Sequence, residues 1–167
     1  YVNVIGAADM LHHIRLVWAS LWSDRALLYR QELGLSVRSS SMAVLVQALV
    51  RGQASGVMFT RSPADAGKLV MEAVHGLNEG LVDGAVEPDR WIFDRQNGTL
   101  ISHRAAARTR MAVPAPQGTM LVPVPPELAD NAPVDTETLA ELRELATQVE
   151  AAFGGAQDIE WTWAEGK

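Results

Sequence analysis

The hydrophobic positions change period along the chain, and the changes mark out its elements. Leu11, Ile14, Val17, Trp18 and Leu21 recur at helical spacing and predict a helix over 7–20. Ala26, Leu27, Tyr29 and Arg30 continue the stripe over 23–33, with Ser23 placed as an N-cap and Gly34 as a stop. MAVLVQALV, 42–50, is a continuous apolar run, which predicts a buried strand with Gln47 as its one polar group. Gly52 then turns the chain into further strands at 56–61 and 68–74, and the Gly-rich stretch 76–84 follows. WIFD at 91–94 and TLISHR at 99–104 flank Asn97-Gly98, a two-strand turn signal. Residues 113–134 hold six of the eight prolines without helical period and read as a surface excursion. A helix is predicted over 136–153, with Leu139, Leu142, Leu145, Ala146, Val149 and Phe153 inward, ended by Gly154-Gly155.

The last segment, Asp-Ile-Glu-Trp-Thr-Trp, alternates. Asp158, Glu160 and Thr162 share one strand face, and Ile159, Trp161 and Trp163 share the other. Carboxylates at i and i+2 lie roughly 7 Å apart along a strand. Such a pair is either a solvated face or part of a divalent cation site, because Mg²⁺ is held by one or two carboxylates plus substrate phosphates. Local sequence leaves both readings open.

Composition narrows the classes. At 167 residues the chain is expected to form a single domain with a real core. A net charge of −6 gives no electrostatic footprint for nucleic acid. The absence of cysteine removes disulfide and thiolate chemistry and fits a cytoplasmic protein. No apolar run approaches the length of a membrane span. The chain opens on Tyr-Val-Asn-Val without an initiator methionine, which reads as the interior of a longer protein. No Walker-type phosphate loop, nucleophile elbow or His/Cys ligand cluster is present.

Three blocks carry a family resemblance: VWASLWSDRALLYR (17–30); VLVQALVRGQASGVMFTRSP (44–63), running on to VMEAVHGLNEGLVDGAVEPDRW (70–91); and LRELATQVEAAFGGAQDIEW (142–161). In this order and spacing they resemble the nucleotide-binding N-terminal region of the phosphoenolpyruvate synthase, pyruvate phosphate dikinase and rifampin phosphotransferase family. The resemblance implies an α+β fold: an ATP-grasp-like lobe with a mixed or antiparallel sheet packed by helices, the chain forming a segment of that domain. It implies ATP and Mg²⁺ as ligands. It also implies transfer of a phosphoryl group to a histidine on a separate domain of the same parent protein.

Residue by residue, it implies that Glu160 coordinates the ATP-bound metal, that Asp158 assists, and that Gln47 contacts the nucleotide. Gln47 alternatively bonds backbone or a water. Glu79 falls near the phosphates, in a motif that reads Gly-Leu-Asn-Glu where the family has Gly-Leu-Gly-Glu; it is otherwise an exposed loop carboxylate. Asn tolerates left-handed backbone, which would preserve that turn at Asn78. Thr60 and Arg61 fall at the cleft edge, where Arg61 faces phosphate or pairs with Glu72 or Glu79. Arg25 and Arg30 read as helix-surface charge or an intradomain ion pair. His12, His13, His75 and His103 match no carrier motif. The family's catalytic lysine is expected upstream of Tyr1, and neither Lys68 nor Lys167 matches it. The chain is therefore expected to lack complete phosphotransferase activity by itself. The competing class is a non-catalytic nucleotide-binding or scaffold module; a paired-carboxylate glycosidase finds no other support in the sequence.

Overall fold

In the computed structural model, residues 1–164 are described, and Lys167 lies outside them. The described residues divide into two units, 1–49 with 115–118, and 50–114 with 119–164.

The first unit holds two helices, α1 (Ala7–Ser20) and α2 (Asp24–Glu32). Ser23 caps α2 as its pattern predicts, its Oγ accepting from the Ala26 amide at 3.3 Å. Gly34 follows the helix at φ 64, a left-handed conformation that a Cβ would strain. Arg30 is buried. It donates to the Leu21 and Ala26 carbonyls and lies over the Trp22 ring at 5.7 Å, so the expectation of helix-surface charge fails for it. Arg25 is exposed, as expected.

The run 42–50 is not a strand. It has no regular structure, and Leu45 and Val46 are 84% and 56% exposed. An apolar run states a need for cover, but a strand also needs a neighbour for its amide and carbonyl rows.

The second unit is built on a five-stranded sheet in the order β4-β3-β2-β1-β7, every neighbouring pair antiparallel. Its strands are β1 (Ala54–Phe59), β2 (Lys68–His75), β3 (Asp89–Asp94), β4 (Leu100–Arg104) and β7 (Asp158–Trp163). A short helix α3 (Glu79–Val82), the hairpin β5 (Arg110–Pro114) and β6 (Thr119–Pro123), the turn-like α4 (Pro126–Ala129) and the long α5 (Thr136–Phe153) complete it. The fold is thus α+β with an antiparallel sheet. The proline-rich stretch carries more structure than its composition foretells: it contributes to the hairpin, contains α4, and buries Val124 and Val134.

One sheet face makes the core. Met58, Met71, Trp91, Phe93 and Trp161 pack with Leu139, Leu142 and Ala146 of α5. Leu145 and Phe153, expected inward, point out, Phe153 being 75% exposed. The inward stripe is narrower than the apolar pattern because one helix on one sheet face buries only a limited arc. Asp135 starts α5 by accepting from the Thr138 amide at 2.8 Å, and Gly154 at φ 75 ends it. Gly56 is where Trp161 crosses β1. A Cβ there would sit 1.9 Å from the Glu72 carbonyl oxygen and 2.5 Å from the Trp161 ring.

Candidate functional site

The register of β7 decides which side chains leave the core. Ser55 pairs with Thr162, Val57 with Glu160 and Phe59 with Asp158. Ile159, Trp161 and Trp163 turn toward the α5 side, where Trp161 is buried. Asp158, Glu160 and Thr162 are exposed on the opposite face, as their alternation predicts. Across that face the pairing sets one row: Glu160, Val57, Glu72, Arg90, Arg104. Glu72 stands two strand spacings, about 10 Å, from Glu160, and is paired with Arg90 at 3.1 Å. Val70 and Val74, both buried, continue the apolar ground between the charges.

The loop after β2 returns to this face. Gly76 takes φ 76, and a Cβ on it would meet the Ala112 carbonyl oxygen at 2.4 Å, so a glycine is required there. The left-handed residue is Gly76; Asn78 is right-handed at φ −67 and needs no special tolerance. The Asn78 Nδ2 donates to Glu160 Oε2 at 3.5 Å, while its Oδ1 is buried without a partner. Glu79 accepts from the Thr119 hydroxyl of β6. Among the described residues, no three His, Cys, Asp or Glu side chains gather closely enough to hold a metal ion. Glu160, Asp158 and Glu79 therefore do not form a three-carboxylate cage. Glu160 has instead a neutral amide beside it, a neighbour that the spacing of the motif did not announce.

Thr60 and Arg61 sit elsewhere. Thr60 is buried; its amide donates to the Gln157 carbonyl at 2.9 Å and its Oγ1 accepts from the Gln157 amide at 2.8 Å. It fixes the entry to β7, and so the register of Asp158 and Glu160. Arg61 pairs with neither Glu72 nor Glu79. It donates to Glu150 of α5, which Arg95 also grips at 2.9 and 3.0 Å. The Arg61 guanidinium, helped by Arg95, holds the Glu150 carboxyl below its usual range. This cluster lines a groove of about 800 Å³ on the α5 side of the sheet, together with Phe93 and Arg143, and none of Glu160, Asp158 and Glu79 lines it.

Gln47 belongs to the first unit, where it is exposed on irregular chain. The histidines take structural contacts. His75 bonds the Asn131 carbonyl at 3.1 Å. His103 stacks on Trp91 at 4.5 Å and donates from Nε2 to Asp89 Oδ2, 2.8 Å away. His13 contacts the Asp9 carbonyl and the Tyr1 ring, and His12 packs edge-on against His13. No helix among the described residues is long and apolar enough to cross a membrane.

A family model described as the pyruvate phosphate dikinase AMP/ATP-binding domain matches residues 1–167. Similar relatives include a probable phosphoenolpyruvate synthase of Archaeoglobus fulgidus, 34% identical over all of this chain and 22% of its own length. A rifampicin phosphotransferase of Streptomyces sviceus is 37% identical over 96% of this chain and 19% of its own. A phosphoenolpyruvate synthase of Pyrococcus furiosus is 31% identical over 98% of this chain and 21% of its own. The chain spans about a fifth of the length of these curated relatives.

Proposed function

The chain belongs to the pyruvate phosphate dikinase AMP/ATP-binding domain family, and from that premise we propose that it supplies an ATP-grasp-like, Mg²⁺–nucleotide-binding face to an ATP-dependent phosphotransferase. The observation that carries the reading is the exposed Glu160 on β7, with Asp158 on the same face and the Asn78–Glu79 loop brought against it. Mg²⁺ takes few protein carboxylates and completes its shell with phosphate oxygens and water. One outward carboxylate with a second nearby fits that demand better than a closed cage would. The Asn78 amide, its nitrogen 3.5 Å from Glu160 Oε2, adds a neutral polar side chain at the edge of this face. The bound ion would neutralise phosphate charge, the main electrostatic need of phosphoryl transfer.

On this reading Glu160 anchors the cation, Asp158 assists through the outer shell, and Glu79, held by Thr119, lies toward the phosphates. Gln47 enters as a nucleotide contact through the family likeness. Thr60 and Arg61 act from behind, by setting β7 and bracing α5. The phosphoryl group passes to a histidine on a separate domain of the parent protein, in the cytoplasm, where ATP is supplied. Lys68 lies in an exposed pair with Asp65 at 3.0 Å, and the family likeness does not make it the phosphate-contacting lysine, so the chain alone is expected to bind without turnover. The second reading, a non-catalytic binding or scaffold module, is favoured by one observation: Asn78 stands where the family motif has glycine. Mg²⁺–ATP binding by the chain and by Glu160→Gln tests the proposal. Loss of binding in the variant supports it, and equal binding, or ATP turnover at enzymatic rates by the chain alone, overturns it.

A further inference from the structure

The groove on the α5 side of the sheet holds an arginine without a counter-charge. Arg143 is half-buried on α5. Its guanidinium lies over the Phe93 ring at 5.4 Å, and its Nη1 donates to the Gly98 carbonyl at 2.6 Å. A Cβ on Gly98 would meet Nη2 at 2.8 Å, so a glycine, at φ 71, lets the β3–β4 turn close onto the guanidinium. Among the described residues no carboxylate pairs with Arg143. Arginine seldom leaves water unless it is paired. One carbonyl and one ring face answer only part of its five N–H donors.

The carboxylates that line the groove are committed elsewhere. Glu150 is shared by Arg61 and Arg95. Asp94 accepts from the Gln96 and Asn97 amides at 2.8 and 3.1 Å, and Glu144 accepts from the Gln148 side chain at 3.2 Å. Arg143 and Glu150 are seven residues apart on one side of α5, which separates them by about 10 Å. The groove therefore has an unpaired guanidinium at one end and two guanidiniums around one carboxylate at the other. Its volume of about 800 Å³ falls within the range of about 300–1,000 Å³ typical of small-ligand sites. That is room for an anionic head and an organic body behind it.

We propose that this groove binds a small organic anion, with a phosphate or carboxylate head seated on Arg143. A guanidinium fork matches either head, and a pre-positioned fork loses little freedom on binding. The site lies on the opposite sheet face from Glu160 and needs no cation, so it stands or falls apart from the metal–nucleotide reading.

Inorganic phosphate and citrate are the probes, each titrated into the chain at low salt with EDTA and no nucleotide. Nitrogen–proton correlation NMR locates the binding. Saturable shifts at Gly98, Arg143 and Thr147, with none at Glu160, are expected from at least one probe, and the tighter one identifies the head group. Arg143→Gln weakens binding by roughly tenfold or more, the scale of a lost charge-assisted hydrogen bond. Glu150→Gln removes the competing negative charge and frees two guanidiniums, so it tightens binding by roughly twofold or more. Far-UV circular dichroism checks that both variants are folded. The proposal is overturned if neither probe shifts these residues, or if folded Arg143→Gln binds within about twofold of wild type. It is also overturned if Glu150→Gln fails to tighten binding, since arginines with a purely structural role predict no gain.

Discussion

Replacing Asp89 with Asn leaves the shape of a fully buried carboxylate and removes its charge. Asp89 is 1% exposed at the start of β3. Its oxygens meet His103 Nε2 at 2.8 Å, the Ala106 amide at 3.1 Å, and Arg108 through Nε at 2.9 Å and Nη2 at 2.6 Å. Arg108 itself is held at φ 46, a conformation that few non-glycine residues adopt and that these bonds help to maintain. The Asn amide keeps one acceptor and turns two N–H groups toward donors, so the largely buried Arg108 loses the carboxylate that neutralises it and keeps only the Ala129 carbonyl and the more distant Asp130 charge. Breaking one side of such a pair costs about 3–5 kcal/mol. At roughly 2–4 °C per kcal/mol for a chain of this size, the melting temperature falls by about 6–20 °C.

Acidity provides a second readout for the same substitution. Burial pushes the Asp89 carboxyl up, but the bonds from Arg108, Ala106 and His103 outweigh it and hold the group below its usual 3.8. A depressed carboxylate contributes stability that is present above the unfolded value and lost as pH falls through the folded one. The gap between wild type and Asp89→Asn is therefore full at pH 7 and narrows only below about 3.8. Urea unfolding across that range measures it. A gap under about 1 kcal/mol at pH 7, or one that widens on acidification, refutes this reasoning.

Two further substitutions test the frame behind β7. Gly56→Ala places a methyl group against the Glu72 carbonyl and the Trp161 ring; overpacking of this kind costs about 1–3 kcal/mol or more, read by urea unfolding, and an unchanged midpoint refutes the close approach. Glu150→Gln releases Arg61 and Arg95, both substantially solvated, so the loss is about 1 kcal/mol or less. Its carboxyl is depressed, so that contribution is present above the ordinary glutamate value of 4.5 and vanishes on acidification; a pH-independent difference from pH 7 to 3 argues against the ion pair.

How much was legible follows from what each signal encodes. Two-residue alternation is a property of the strand alone, so Asp158-Ile-Glu-Trp-Thr-Trp gave its two faces correctly. Asn97-Gly98 gave the β3–β4 turn, and Ser23, Gly34 and Gly154 gave helix ends, because caps and turns are decided within a few residues. The run 42–50 misled because apolar character does not supply a hydrogen-bonding neighbour. Arg61 was assigned the wrong carboxylate because Glu150 is 89 residues away and charge carries no record of distance. Thr60 is held by the backbone of Gln157, a partner that no side-chain pattern reveals. Asn78 stood out as a departure from a motif. Its proximity to Glu160 arises from the path of the loop after β2, which residue identities do not give.

The central claim is that Glu160 anchors the cation of a bound nucleotide. Calorimetric titration of Mg²⁺–ATP into the chain, beside Glu160→Gln, tests it most directly. The account predicts binding by wild type that disappears in the variant while both remain folded. Binding of equal strength by the two would contradict it.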